Sequence, residues 1–297
     1  MARINLPQPW TGLFCRILFL AGLTLAAGCA SPSTQPASTP VDGSSPTIGA
    51  ETDFAHIDLG EGLYLRQIRE DAFVVTHAFP WPANSLIVEM SNSDLVLVGT
   101  PYTPEAMGEV LVWMKAHFGE RNIVAIDPGY HVDNLGGNDA LIKQGIPVYG
   151  SDLTAELLTE RGEQTRQTLL EMLSAPGNER YYKAHAEIPY VAPDRLFPVS
   201  RGLKLSFGEE QLEVYYPGPT QAPDKVAVYF PAKKILFGSC MILGGDQAGN
   251  IREADLENWP EAIKTLKRFD VDFVIPGHGD RVDPGLIDHT IVLLTTG

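Results

Sequence analysis

Cysteine is scarce in this chain. Three are present, and Cys15 and Cys29 both fall in an apolar N-terminal stretch, which leaves Cys240 alone in the body. An internal disulfide in the body is therefore excluded. A lone thiol is either a small buried hydrophobe or a ligand, and composition leaves both open. Positive charge is also short. Lys and Arg number 22 against 37 Asp and Glu, a formal net charge of −15. Removing Arg3 and Arg16 with the N-terminal stretch takes −15 to −17. No basic stripe relieves this acidity, and so acidic a body repels phosphate backbones, which argues against nucleic acid as a partner. Self-similarity at a period of 20 to 50 residues is missing, which argues against a repeat array. The Gly-rich "GSCMILGGDQAGN" lacks the strand–turn–helix glycine pattern of a dinucleotide loop.

What is present begins with "LFCRILFLAGLTLAAGCA", apolar except for Arg16. It is too short and too poorly flanked for a membrane-spanning helix, so residues 1–28 are expected to be a secretory signal. "LAAGC", Leu25–Cys29, resembles a bacterial lipoprotein box with Ala26 where Leu is preferred. The expectation is a lipid on Cys29 and a periplasmic protein whose membrane contact is that anchor; a soluble periplasmic product is the alternative. Residues 29–50 contain "SPSTQPASTPVDGSSPT", too poor in apolar groups to fold, and are expected to form a disordered tether. Residues 51–297 then form one folded body, expected to be monomeric. Hydrophobic residues at 44% and charged residues at 20% suit a sizeable core.

Along that body strands and helices alternate. "LYLRQIREDAFVVTHAF" reads as two antiparallel strands, and "NSLIVEM" and "DLVLVGT" as a hairpin split by "SNSD". "TPEAMGEVLVWMKAHF" has helical spacing, with Thr103 as cap and Pro104 in the first turn. A strand "NIVAID", a short helix "NDALIKQG" ended by Gly145 and a strand "PVYGS" follow, then two helical stretches, "LTAELLTERG" and "TRQTLLEML". Strands resume in "LKLSF", "QLEVYYPG", "KVAVYFP" and "KKILFGS"; the helix "ENWPEAIKTLKRF", the strand "VDFVIPGHG" and a last helix in "PGLIDHTIVLL" close the chain. Two β-rich halves, each closing with helices, imply an α/β fold of two packed sheets with helices outside.

Three of these strands end in a metal-competent side chain beside glycine: "YHVDNLGG" after "NIVAI", "FGSC" at Cys240, and "PGHG" with His278. Zinc accepts carboxylate, thiolate and imidazole together, and a catalytic zinc keeps three protein ligands and one open position. Asp133, Cys240 and His278 would be such a set. Spacing by itself does not require it. His56 and His77 read as surface or loop residues, His117 and His185 as structural or solvated, and His289 as a packing residue. "FPWP" around Trp81 reads as a packed turn, with an apolar wall over a substrate as the other possibility.

Taken in order, "HVDNLGG", "YYPGP", "VYFP", "FGSC" and "PGHG" resemble the metallo-β-lactamase superfamily over roughly Ile68 to Leu294. The resemblance implies a four-layer αβ/βα sandwich with the site at one edge of two packed mixed sheets. It implies two zinc sites, of which the second maps onto Asp133, Cys240 and His278. The first is depleted: Gly129 and Gln221 stand where histidines are expected, and His131 remains. A lone imidazole and a neutral amide are a poor zinc cage. The pattern therefore looks most like the single-zinc, carbapenem-hydrolysing branch, with one Zn²⁺ and a small-molecule β-lactam substrate. It gives His131 and Asp133 as acceptors of a water proton, Gln221 as a group that orients the water, and Asn250 as the donor to the developing oxyanion. Leu243 stands where a Lys would hold the substrate carboxylate, a loss of roughly 1.5–3 kcal/mol. Lys225 and Arg252 are the nearby cations by sequence alone. That departure keeps open a hydrolase of lactones, thioesters or other esters, and the depleted site keeps open a non-catalytic zinc-binding lipoprotein.

Overall fold

A computed structural model describes residues 54–296 of the chain. The expected signal, the tether and Cys29 lie outside them. Eight strands form the first sheet in sequence order: β1 (Ala55–Gly60), β2 (Leu63–Arg69), β3 (Ala72–Ala78), β4 (Pro82–Glu89), β5 (Leu95–Val98), β6 (Ile123–Ile126), β7 (Val148–Ser151) and β8 (Arg195–Phe197). Pairing is antiparallel from β1 to β5 and parallel from β5 to β8, so the sheet is mixed. The parallel part needs crossovers, and helices supply them. These are α1 (Pro104–Phe118), α2 (Val132–Leu135), α3 (Asn138–Lys143), α4 (Asp152–Met172) and α5 (Glu179–Glu187). The second sheet has the order β13-β12-β11-β10-β9, from β9 (Leu203–Phe207), β10 (Glu210–Tyr215), β11 (Ala227–Phe230), β12 (Ile235–Leu243) and β13 (Phe273–His278). Helices α6 (Asn258–Leu266) and α7 (Leu286–Thr296) flank it.

Side-chain alternation builds the layers. Along β3 and β5, Val74, Val96 and Val98 enter a core shared with Val228, Phe230, Phe237 and Ile275 of the second sheet. Their neighbours Phe73, Val75, Leu95 and Leu97 point the other way, onto Met107, Val110, Leu111 and Met114 of α1 and Leu141 of α3. On the far side, Leu236, Met241 and Val274 meet Trp259, Ile263, Leu266, Leu286 and Ile287. Period-two strands with both faces apolar can be buried only between two such layers. The result is helix, sheet, sheet, helix, the four-layer α/β sandwich expected.

The expected hairpin, the Thr103 cap and the last helix are where the sequence placed them; Thr103 Oγ1 accepts from Ala106 N at 3.1 Å. Two expectations change. The two helical stretches after β7 are one 21-residue helix running through Gly162. A Cβ there would sit 3.3 Å from the end of the Leu158 side chain and 3.6 Å from Tyr190, and the helix passes through the glycine without a break. His77 is not a surface or loop residue. It lies in β3, 4% exposed, and its Nδ1 accepts from Tyr102 N at 3.2 Å.

Candidate metal centre

Asp133, Cys240 and His278 arrive from three elements at one sheet edge. Asp133 sits in the first turn of α2, directly after the β6 loop. Cys240 lies on β12, where the register against β13 shifts around Ser239. Ser239 has φ +49°, a left-handed conformation that costs a non-glycine residue on the order of 1 kcal/mol or more. Its Oγ donates to Asn134 Oδ1 at 2.8 Å, and the bulge re-aims the following thiol. Gly277 lets β13 come close enough: a Cβ there would meet Cys240 N at 2.6 Å.

His278 ends β13. Its Nδ1 donates to the Pro82 carbonyl of β4 at 2.7 Å, which ties the two sheets together and turns Nε2 toward the other two groups. Buried Asn84 holds the loop around it, donating to Pro276 O at 3.1 Å and Gly279 O at 2.8 Å while accepting from Thr76 Oγ1 at 2.7 Å.

Cys240 Sγ lies 3.1 Å from Asp133 Oδ2 and 3.7 Å from His278 Nε2, and Nε2 lies 3.2 Å from Oδ2. A tetrahedral zinc with bonds of about 2.0–2.3 Å needs ligand atoms roughly 3.3–3.7 Å apart. The three donor atoms, all within 4.8 Å of one another, therefore fit one zinc ion with little movement. Burial favours the neutral form of Asp133, but the hydrogen bond from His278 and the charges of Lys225, His278 and His131 hold its carboxyl well below the usual range. For His278 desolvation works against the proton, yet hydrogen bonds to Asp133 and Cys240 hold the ring protonated well above its ordinary range. A zinc ion would displace that proton. The His278 side chain is 47% exposed against 12% for Asp133, so the set is open on the His278 side.

His131 is outside this three-donor set. Its Nε2 lies 2.8 Å from Glu253 Oε2, and a carboxylate only accepts, so Nε2 carries a hydrogen. Glu253 also accepts from Tyr130 Oη at 2.5 Å and pairs with Arg161 at 3.5 Å. The hydrogen bond from His131 comes first among the causes that hold the Glu253 carboxyl down at about 2 against burial. Gln221 is buried; its Nε2 donates to the Asn250 carbonyl at 2.9 Å, and its Oε1 is buried without a partner. The Asn250 side chain lies exposed and caps a turn, accepting from Arg252 N at 3.2 Å. Arg252 is exposed, and Leu243 is buried in the core against α6 and α7.

Lys225 does not face solvent. It is 0% exposed and donates to Asn134 Oδ1 at 3.3 Å. Burial opposes its charge, but Cys240, Asp133, Asp224 and Glu253 outweigh that and hold the ammonium protonated. Sequence reasoning missed Glu253, Tyr130, Asn134 and Asn84. Tyr130 and Asn134 stood beside His131 and Asp133 in "YHVDNLGG"; Glu253 and Asn84 carry no local signal, because their role is a long-range contact.

The family model "Metallo-beta-lactamase superfamily" matches residues 78–278. A protein named Metallo-beta-lactamase type 2 from Bacillus sp. (strain 170) is 29% identical over 217 residues, 72% of this chain and 73% of its own. One of the same name from Pseudomonas aeruginosa is 30% identical over 209 residues, 69% of this chain and 71% of its own. A solved metallo-beta-lactamase from Pontibacter korlensis is 31% identical, covers 79% of this chain and 100% of its own, and superposes with a TM-score of 0.66.

Proposed function

The chain belongs to the metallo-β-lactamase superfamily, and from that premise we propose that it is a zinc hydrolase that opens the amide of β-lactams, carbapenems foremost, with one ion held by Asp133, Cys240 and His278. The observation that carries the reading is the three-donor set with its solvent-open side. The Metallo-beta-lactamase type 2 names of the relatives from Bacillus and Pseudomonas point to the same substrate class.

A zinc ion bound there supplies Lewis acidity toward water, the lactam carbonyl and the departing nitrogen. The chain's own residues do the rest. His131 takes the proton from the attacking water at Nδ1, while Glu253 holds Nε2–H and so fixes the tautomer. Water oxygen bonds to the carbonyl carbon, the C–N bond breaks, and the proton passes to the ring nitrogen. Asp133 is the second acceptor, weaker because a carboxylate committed to a metal ion is a poorer base than a free imidazole nitrogen. Asn250 donates to the oxyanion from its exposed loop, and Gln221, anchored on the Asn250 carbonyl, keeps that loop in place. Trp81, 40% exposed and adjacent to the His278 anchor Pro82, offers an apolar wall.

A second reading, hydrolysis of a lactone, thioester or other ester by the same residues, is favoured by buried Leu243, which leaves a substrate carboxylate without an ammonium at that position. Metal analysis of the purified body with assays on a carbapenem, a penicillin and a simple lactone separates the two. The proposal expects one zinc, carbapenem turnover, and loss of both in Asp133→Ala. Turnover of the lactone alone favours the second reading, and an active metal-free protein refutes both. We further propose lipidation at Cys29 and a periplasmic location; the mass of the mature N-terminal peptide tests this.

A further inference from the structure

The loop carrying Gly129 lies flush against the segment that carries Lys225. Val226 N donates to Pro128 O at 3.0 Å, and Tyr130 N donates to Asp224 Oδ2 at 2.8 Å. A Cβ on Gly129 would come within 2.7 Å of Lys225 Nζ and 2.8 Å of its Cδ. The lysine thus fills the volume a side chain at position 129 would need. Its ammonium has no exposed surface, and its hydrogen-bond acceptor is Asn134 Oδ1 at 3.3 Å, the atom that also receives Ser239 Oγ beside Cys240. The negative groups acting on it are Cys240, Asp133, Asp224 and Glu253.

A buried charge persists only where other charges and hydrogen bonds compensate it. With Cys240 counted as the thiolate it becomes on binding a metal, four negative groups act on Lys225, and Arg161 on Glu253 at 3.5 Å is a second side-chain cation. One divalent ion on the three donors, with these two cations, brings the cluster to neutrality. A second divalent ion would leave it in positive excess and would need the space Lys225 fills. A protonated amine has no lone pair, so Lys225 cannot be a ligand.

Building on the single-zinc reading above, we propose that Lys225 is a resident cation that holds the place of a second metal ion and so limits the centre to one. It acts by position and charge and does not touch substrate.

The test is metal stoichiometry, measured by equilibrium dialysis and elemental analysis on stripped protein, with Co²⁺ absorption as the readout of coordination. Wild type is expected to saturate at one equivalent at millimolar zinc. Gly129→His with Gln221→His, which returns imidazoles to the loop while Lys225 stays, is expected to hold one. The same pair with Lys225→Ala is expected to hold two, the second with its own cobalt bands. Two equivalents in wild type overturn the proposal. So does equal uptake, one or two, by the variants with and without Lys225. Wild type that takes no ion overturns the single-zinc reading and this inference with it, a result distinct from the others. The wild-type measurement stands even where a variant fails to fold.

Discussion

Replacing Glu253 by Gln keeps the shape of the side chain and removes its charge. The carboxylate accepts from Tyr130 Oη at 2.5 Å and from His131 Nε2 at 2.8 Å, and Arg161 lies at 3.5 Å. These contacts, led by His131, hold its carboxyl at about 2 against an ordinary 4.5. A gap of about 2.5 pH units corresponds to about 3 kcal/mol of native-state stability at pH 7. The carboxyl is depressed on folding, so this contribution is fully present above about 4.5 and is lost as pH falls through about 2. Urea unfolding of zinc-stripped wild type and Glu253→Gln, at pH 7 and pH 3.5, reads it directly. Expected is a deficit of about 3 kcal/mol for the variant at pH 7, shrinking to about 2 kcal/mol at pH 3.5 and further below. An equal deficit at both pH values would show that the charge is not responsible. A deficit under about 0.5 kcal/mol at pH 7 would show that the clamp on His131 is not built from this carboxylate.

Two other tests address the scaffold. Burial leads the causes that push His77 down to about 4 from 6.5, so it folds neutral, and its stability contribution is present above 6.5 and lost as pH falls through 4. His77→Gln, which can still accept from Tyr102 N, should flatten the acid-side stability profile of zinc-stripped protein between those values; an unchanged profile would clear His77 of the effect. Asn84→Ala strips two donors from the carbonyls that frame His278 and should weaken zinc binding about 10- to 100-fold in a chelator competition. Unchanged affinity would mean that the Pro82 contact alone orients the imidazole.

The local sequence carried most of the architecture. Apolar alternation in "AFVVTHA" and "LVLV" forces these strands between two layers, and Thr103–Pro104 fixes the start of α1, because each signal is read within a few residues. The two helical stretches after β7 read as separate because Gly162 stands at their junction, and a glycine tolerated inside a helix looks in sequence like one that ends it. His77 misled for a related reason: an imidazole in an apolar strand is polar by composition and buried by its partners.

At the centre the same division holds. The sequence by itself offered the candidate donors, a carboxylate, a thiol and an imidazole each near glycine and near a strand, but it read Cys240 as ending its strand where the structure places it inside β12. Only the tertiary structure decided that Lys225 points inward to the space beside Gly129, that Glu253 closes on His131 from 122 residues away, and that Asn84 frames the His278 loop across the sheets. Charge balance in a buried site depends on distance through space, and positions so far apart in the chain carry no local trace of it.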